Sequence, residues 1–287
     1  MVPDSPHFSV VIPALNEEEV LPACLESMRG QDFDGTFEVI VVDNGSTDDT
    51  AAVAHRYDAV VVSEPTRGVC HARQAGTDVA RGAIVVSTDA DTVVPSDWLS
   101  RIADVFSRCP EVVATAGPCR FTDAPWWALP YTQALFGWVA VWFRLTGRVC
   151  YASATNLAFR RSAFPGYERW LTQGGDELAV LRGLRAAGKI HFDWRRTSHT
   201  SSRRLHRGLF YSLFFTCLYS YVITYNVNRL VGRPLMGTAP PIREVAGGTR
   251  ARGIPVTWSW VSTAAAVALI MVTLAVVILS PMDVDIA

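Results

Sequence analysis

The sequence predicts an α/β protein with a mostly parallel β-sheet flanked by helices, followed near the end of the chain by a membrane helix. Three observations carry this prediction: four Val- and Ile-rich runs before residue 92, helical patterns between them, and an almost wholly apolar segment at 257–280. Strands buried on both faces require near-continuous apolar runs, and their alternation with helices is typical of a parallel sheet. With 287 residues the chain can bury a sizeable core.

The first half of the chain alternates strands and helices. The predicted strands lie in four segments that end in polar or turn-forming residues: FSVVIPALNE, FEVIVVDNGS, DAVVVSEP and AIVVSTDAD. Helical patterns separate them at 17–28, 48–57 and 69–80. We expect Ser46 or Thr47 to be the N-cap of the second helix, because both residue types are preferred there and acidic residues follow.

The alternation weakens after Asp91. The pattern then predicts a strand at 111–119, a long aromatic helix at 126–146, a helix at 174–188 and a last strand in KIHFDW. Asp176 lies near the expected N-cap of the helix at 174–188, and Gly188 is its expected stop.

Segment 257–280 is predicted to be a transmembrane helix. No charged residue occurs between Arg252 and Asp283, and at 1.5 Å per residue this helix exceeds the roughly 30 Å of bilayer hydrocarbon. The apolar stretches 209–225 and 126–143 are interrupted by polar residues, so each could span the bilayer, lie at its surface or pack on the protein.

The sequence therefore divides into an α/β domain at 1–200, a basic and apolar segment at 201–231, a linker at 232–256 and the membrane helix. The linker is rich in arginine and the tail after the helix is acidic, which favours a cytoplasmic linker and a cell-membrane protein with its α/β domain in the cytoplasm. No secretory signal is expected, because FSVVIPAL is soon followed by NEEE.

The composition argues against several other functions. A formal net charge of −1 and a pI near 6.6 give no general attraction for nucleic acid. Lysine occurs once, at Lys189, and the sequence has no glycine-rich phosphate loop ending in lysine. The six cysteines lack disulfide or zinc spacing and are expected to be reduced and mostly buried.

Acidic residues follow the carboxyl end of each predicted strand, where open parallel sheets bind ligands. Asp89 and Asp91 flank one alanine, and in an extended segment their side chains would point the same way and repel each other unless a cation lay between them. Mg²⁺ or Mn²⁺, which prefer oxygen ligands and often bind substrate phosphates as well, would suit this pair. In VVDNGSTDDT, Asn44 and Ser46 could contact a base or ribose next to Asp43.

An ordered set of motifs over residues 8–190 resembles the inverting nucleotide-sugar glycosyltransferases of family 2, which have the GT-A fold. The motifs are VVIPALNEE, VVDNGSTDDT, RGVCHARQAG followed by ARG, STDADT and QGGDELAV. The resemblance implies a metal site at Asp89 and Asp91 and a catalytic base at Asp176. It further implies donor contacts from Pro13, Asn16, Glu17, Asp43, Arg73 and Asp89.

The chain departs from the family pattern in two places. Gly175 occupies the position of the usual glutamate in the base motif, which leaves Asp176 as the expected base and Glu177 as the alternative. The Q-x-x-R-W motif of processive synthases is absent, and RRTSHTSSRRLHR stands in that region, which favours transfer of a single sugar.

The resemblance and the membrane helix together imply transfer from a UDP- or GDP-sugar to a membrane lipid or polyprenyl acceptor. Arg203, Arg204 and Arg207 could bind a lipid phosphate or anionic headgroups, and His199 or His206 could add a metal ligand. Two other functions stay open: a nucleotidyltransferase, which usually has a lysine-bearing loop near its start, and a membrane protein that binds nucleotide without catalysis.

Overall fold

The computed structural model describes residues 5–168, 176–203 and 205–207 together with the single residue 231. Its main sheet has seven strands in the order β3-β2-β1-β4-β8-β6-β9. These strands are β1 (Phe8–Ala14), β2 (Phe37–Asp43), β3 (Val60–Ser63), β4 (Ile84–Ser87), β6 (Val112–Ala116), β8 (Leu157–Arg160) and β9 (Lys189–Phe192). Only β8 runs antiparallel to its neighbours, so the sheet is mostly parallel, as predicted.

A second sheet of three strands has the order β5-β10-β7, built from β5 (Thr92–Val93), β7 (Cys119–Thr122) and β10 (Ser198–Ser201). The α-helices in the described residues are α1 (Leu21–Arg29), α2 (Thr50–Arg56), α3 (Val69–Val79), α4 (Trp98–Arg108), α5 (Ala128–Thr146) and α6 (Asp176–Ala187). Strand β5 follows directly after Asp91, so the small sheet lies next to the predicted metal pair.

Alternate residues of β1 pack into two apolar cores. Phe8, Val10 and Ile12 face a core with α1 and α4, whereas Val11 faces a core with α3, α5 and α6. All four are at most 1% exposed. Complete burial of each such side chain stabilises the fold by roughly 1.5–3 kcal/mol, which explains why this central strand is apolar on both faces apart from buried Ser9.

Helices α1, α2 and α5 begin later than predicted, and α5 begins at Ala128 rather than at 126. Helix α1 begins at Leu21 rather than at 17, because Glu17 forms a turn in which its carbonyl accepts from Val20 and Leu21. Helix α2 begins at Thr50, whose N–H is bound by the Asp48 carboxylate at 3.0 Å. Neither Ser46 nor Thr47 is the N-cap.

The sequence pattern also missed four strands, of which β5 has only two residues. Strand β9 is not the last, because β10 follows in SHTS, and both β7 and the antiparallel β8 were not predicted. Neither CRFT of β7, LAFR of β8 nor SHTS of β10 is a continuous apolar run. Their strand conformation depends on pairing with distant partners, as between β4 and β8.

The apolar segment at 126–143 forms most of α5 and the turn before it, and it packs into the core shared with α3 and α6 through Leu135, Phe136 and Val139. In the described ranges, no helix combines the length and apolar content needed to cross a bilayer. The predicted membrane helix 257–280, the linker 232–256 and the stretch 209–225 lie outside the described residues. The five described cysteines are free, and all except Cys109 are buried, as expected.

Candidate functional site

The loops after β1 and β2 bind each other at the carboxyl edge of the sheet. Asn16 has a left-handed backbone (φ 53°), and its side-chain oxygen accepts from the Thr47 N–H at 2.8 Å. Its own N–H donates to the Ser46 hydroxyl at 2.9 Å. Asn16 and Ser46 thus hold the two loops in register. Pro13, another predicted donor contact, lies within β1 opposite Val42 of β2.

The turn after β2 is fixed by side chains that the sequence analysis assigned to ligand contact. Asp43 accepts from the Ser46 N–H at 2.9 Å across Gly45, whose φ of 79° suits glycine. Asn44 is buried, and its amide donates to the carbonyls of Glu64 and Thr66 at 2.8 and 2.7 Å. Its side-chain oxygen accepts from the N–H of Gly68 at 2.8 Å. Asn44 therefore joins this turn to the segment before α3, and its contact with a base or ribose stays a prediction.

Asp89 follows β4 and pairs with Arg73 of α3. The closest nitrogen–oxygen distance is 2.6 Å, and the Arg73 side chain is 5% exposed against 33% for Asp89. Arg73 lies on the helical face that packs on the sheet, so it is held rigidly beneath Asp89. The structure thereby brings together two residues for which the resemblance implied separate donor contacts.

Asp91 pairs with residues that are distant in sequence. One of its oxygens accepts from the Thr200 hydroxyl of β10 at 3.1 Å, and the other contacts the Arg203 guanidinium at 2.7 Å. The same Arg203 nitrogen contacts both oxygens of Glu17, at 3.2 and 3.1 Å. Glu17 and Asp91 thus share one cation at the edge of the sheet.

The premise that Asp89 and Asp91 lie on one extended segment is wrong. Asp89 to Thr92 form a turn, closed by a hydrogen bond from the Thr92 N–H to the Asp89 carbonyl at 3.0 Å. The turn directs the two carboxylates to different arginines, Arg73 and Arg203, which neutralise their charges. The cations paired with these carboxylates in the structure are therefore guanidinium groups.

These charges perturb their neighbours. Burial lowers the pKa of Arg203, but the hydrogen bond to Asp91 and the charge of Glu17 outweigh it and raise that pKa above its ordinary value. Burial, followed by the charges of Asp91 and Asp89, strongly raises the pKa of the Cys24 thiol beneath the loop. Cys24 is therefore a protonated packing residue, with no role as a nucleophile.

The predicted base lies at the start of α6. Asp176 is the first residue of that helix, where the helix dipole favours a carboxylate, and its side chain is outside the description. Glu177, the alternative, is 5% exposed. Gly175 lies outside the described residues, so the base assignment stays a prediction.

The carboxylate oxygens of Asp89 and Asp91 suit a hard divalent cation that takes its remaining ligands from the substrate. In the part of the chain that the structure describes, no three His, Cys, Asp or Glu side chains cluster closely enough to enclose a metal ion. His199 and His206 are exposed and belong to no such cluster. The carboxylates of Asp89 and Asp91 already attract cations, and Mg²⁺ or Mn²⁺ sites with one or two carboxylates plus phosphate oxygens are common. The residues present therefore fit the predicted metal.

Thr200 and Arg203 were missed as site residues. Arg203 was assigned to lipid phosphate or anionic headgroups on the basis of its basic segment, yet it faces Glu17 and Asp91. The positions of Arg204 and of the Arg207 side chain lie outside the description. No local pattern could reveal Arg203, because the residues it contacts are separated from it by 112 and 186 positions.

A protein-family model, related sequences and solved structures all match this chain. The family model described as Glycosyl transferase family 2 matches residues 9–167. A PGL/p-HBAD biosynthesis glycosyltransferase of Mycobacterium bovis is 38% identical over 106 residues, covering 34% of this chain and 41% of the relative. An uncharacterized glycosyltransferase of Mycobacterium tuberculosis is 39% identical over 119 residues, covering 41% and 52%. The matches thus span about half or less of these relatives' length.

Solved structures share the fold at low identity. A mannosyltransferase from Pyrobaculum calidifontis, in complex with GDP-Man and Mn²⁺, has a TM-score of 0.57 and 19% identity, covering 95% of this chain and 75% of that chain. TarS of S. aureus has a TM-score of 0.56 and 19% identity, covering 71% and 65%. These likenesses support the predicted α/β architecture of GT-A type.

Proposed function

Since the chain belongs to glycosyl transferase family 2, we propose that it transfers a single sugar from a UDP- or GDP-sugar, with inversion, to a lipid-linked acceptor at the cytoplasmic face of the cell membrane. The observation that carries the proposal is the joint position of Asp43, Asp89, Asp91 and Glu17 at the carboxyl ends of parallel strands. This edge is where open α/β sheets bind nucleotides.

The donor would lie along this edge. Asp43 and the loop fixed by Asn16 are proposed to bind the nucleoside, and the Arg73–Asp89 pair to border the diphosphate. Asp91 and Asp89 would hold Mg²⁺ or Mn²⁺. Such an ion, when bound, neutralises negative charge on the leaving nucleoside diphosphate.

The reaction would be one in-line displacement at the anomeric carbon. Asp176 is proposed to accept the proton of the acceptor hydroxyl as the new glycosidic bond forms and the bond to the diphosphate breaks. General-base assistance of this kind typically contributes about 10²–10⁴-fold. The start of α6 would stabilise an ionised carboxylate by about 0.3–1 kcal/mol, which would keep Asp176 ready to accept that proton.

The surface of α5 supports an acceptor held at a membrane. Trp126, Leu129 and Leu145 are 66%, 52% and 79% exposed along this helix and the turn before it. Residues 124–167 include four arginines and no carboxylate, so the stretch would not be repelled by anionic lipid. Leu205 packs against Trp127 and Ala128 at the start of α5, which brings the chain leading to the apolar stretch 209–225 to the same side.

A polyprenyl-phosphate acceptor is the second candidate. The acid-free stretch 124–167, with exposed Arg144 and Arg148, favours an acceptor that carries negative charge. The oxygen of such a phosphate is already anionic, so Asp176 would matter less than for a hydroxyl acceptor. The size of the Asp176→Asn effect therefore distinguishes the two acceptor classes.

Donor hydrolysis and transfer can be measured directly. We propose incubating the purified full chain with UDP- and GDP-sugars and Mg²⁺ or Mn²⁺, with Asp91→Ala as the matched control. Metal-dependent release of UDP or GDP by the natural chain alone supports the proposal, and no release with any donor contradicts it. Mass spectrometry of lipid extracts from cells with and without the protein then identifies the acceptor and the mass of the sugar.

A further inference from the structure

Arg203 lies between the carboxylates of Glu17 and Asp91 at the carboxyl edge of the sheet. One guanidinium nitrogen lies 2.7 Å from Asp91 and 3.1 and 3.2 Å from the two oxygens of Glu17. The carboxylates of Glu17 and Asp91 therefore face each other across a single guanidinium nitrogen. Without a cation between them, the two charges would repel each other.

The arginine that holds them is accessible. The side chain of Arg203 is 37% exposed, and it follows strand β10 in a turn, whereas Glu17 and Asp91 are 15% and 18% exposed. A guanidinium at this exposure can itself be solvated by water when it leaves, whereas the less exposed carboxylates then need another cation. Arg203 is thus a cation that can leave its carboxylates.

We propose that Arg203 is a resident counter-ion of the metal site, which offsets part of the negative charge of Glu17 and Asp91 before the donor binds and is displaced by the divalent cation. The inference rests on the proposed function, because it concerns the same site. A divalent ion on Asp91 replaces one positive charge by two, so displacement loses no neutralisation of the acidic pair. Until then, Arg203 holds the edge intact and competes with metal.

Metal binding by the full chain tests the competition. Free Mn²⁺ is measured by electron paramagnetic resonance for the natural protein and for Arg203→Gln, without nucleotide. We expect roughly tenfold tighter Mn²⁺ binding in the variant, because one competing cation at contact distance is gone. Arg29→Gln is the matched control: it removes an exposed ion pair with Asp58 at 3.3 Å and should leave Mn²⁺ affinity unchanged. Equal or weaker binding by Arg203→Gln overturns the inference.

Displacement itself is tested on the unaltered protein, which avoids any dependence on the folding of a variant. Phenylglyoxal modifies accessible arginines, and mass spectrometry of peptides reports each site. Mn²⁺ should increase the modification of Arg203 and leave that of exposed Arg161 unchanged. Modification of Arg203 that stays constant or falls on Mn²⁺ addition overturns the inference.

The two failures can be told apart. If the natural chain binds neither UDP nor GDP in the presence of Mn²⁺, the proposed function fails and this inference falls with it. If nucleotide and Mn²⁺ bind but Arg203 neither competes nor becomes more reactive, only the role of Arg203 is overturned.

Discussion

Helix α3 and the turn after β10 each supply one arginine to an aspartate of the same short loop, yet the two pairs are built differently. Arg73 on α3 is 5% exposed and contacts Asp89 at 2.6 Å. Arg203 is 37% exposed and contacts Asp91 at 2.7 Å. The contact distances are nearly equal, so the pairs differ in burial and in the rigidity of the element that carries the arginine.

This difference separates structural from exchangeable charge. Removing one partner of a buried ion pair leaves an uncompensated charge in a medium that solvates it poorly, whereas exposed pairs contribute little to stability. The Arg73–Asp89 pair therefore supports the fold of the loop. The Arg203–Asp91 pair leaves Asp91 able to change its partner.

The largest effect should come from Asp176, which belongs to neither pair. Asp176→Asn is expected to lower kcat by about 10²–10⁴-fold, because the general base is lost, while nucleotide affinity is retained. Single-turnover kinetics and UDP or GDP binding by calorimetry check both halves. Normal turnover would move the base to Glu177 or to another group.

Asp91→Ala tests the exchangeable pair. We expect transfer to fall by roughly 10²–10³-fold, because a metal ligand is worth several kcal/mol of charge stabilisation in the transition state. The free energy of unfolding should change by less than about 1 kcal/mol, as for other partly exposed pairs. A steady-state assay and urea unfolding measure the two quantities, and unchanged transfer would contradict the metal assignment.

The two arginines can be compared directly through stability. Arg73→Met should lower the free energy of unfolding by about 3 kcal/mol, since Asp89 would lose the buried partner beneath it. Arg203→Met should lower it by less, about 1–2 kcal/mol, because the lost guanidinium is 37% exposed although Glu17 and Asp91 are left facing each other. Urea unfolding of both variants measures the difference, and equal losses would show that burial does not distinguish the pairs.

The smallest effect concerns the loss of folding stability at acid pH, and it arises at His191 in the edge strand β9. Burial, outweighing the charge of Asp193 and reinforced by Arg196, lowers the pKa of His191. The unfolded chain then binds the proton more readily, so this contribution to stability is present above the ordinary histidine pKa of about 6.5 and is lost as pH falls below it. Thermal unfolding at pH 7 and pH 5 should show a smaller decline for His191→Gln than for the natural chain. An equal decline would exclude His191 as its source.

Local sequence patterns predicted the aspartates of the site, because each lies at or just after the end of an apolar strand. Strands β1, β2 and β4 are apolar runs; Asp43 is the last residue of β2, and Asp89 and Asp91 lie in the turn after β4. Topology alone placed them at one edge of the sheet. The roles of Asn44 and Ser46 were not predictable, because an amide or hydroxyl that binds a ligand looks the same in sequence as one that binds a neighbouring loop.

The rest of the site depends on contacts between distant parts of the chain. The Thr200–Asp91 hydrogen bond spans 109 positions, and the strand that carries Thr200 has a polar sequence. Buried Asn156 likewise accepts from the Trp98 indole at 2.9 Å and donates to the carbonyls of Pro118 and Arg196 at 2.9 and 2.6 Å. No periodicity encodes such a junction, because its members come from four separate segments.

The middle position of β10 in the small sheet has a practical consequence for protein production. Thr200 pairs with Thr92 on one side and Phe121 on the other, so β10 is the central strand that joins β5 to β7. An expression fragment that ends with the family match at residue 167 would lack β10 and leave Thr92 and Val93 without their paired strand. Fragments intended for crystallisation should retain the chain through residue 207.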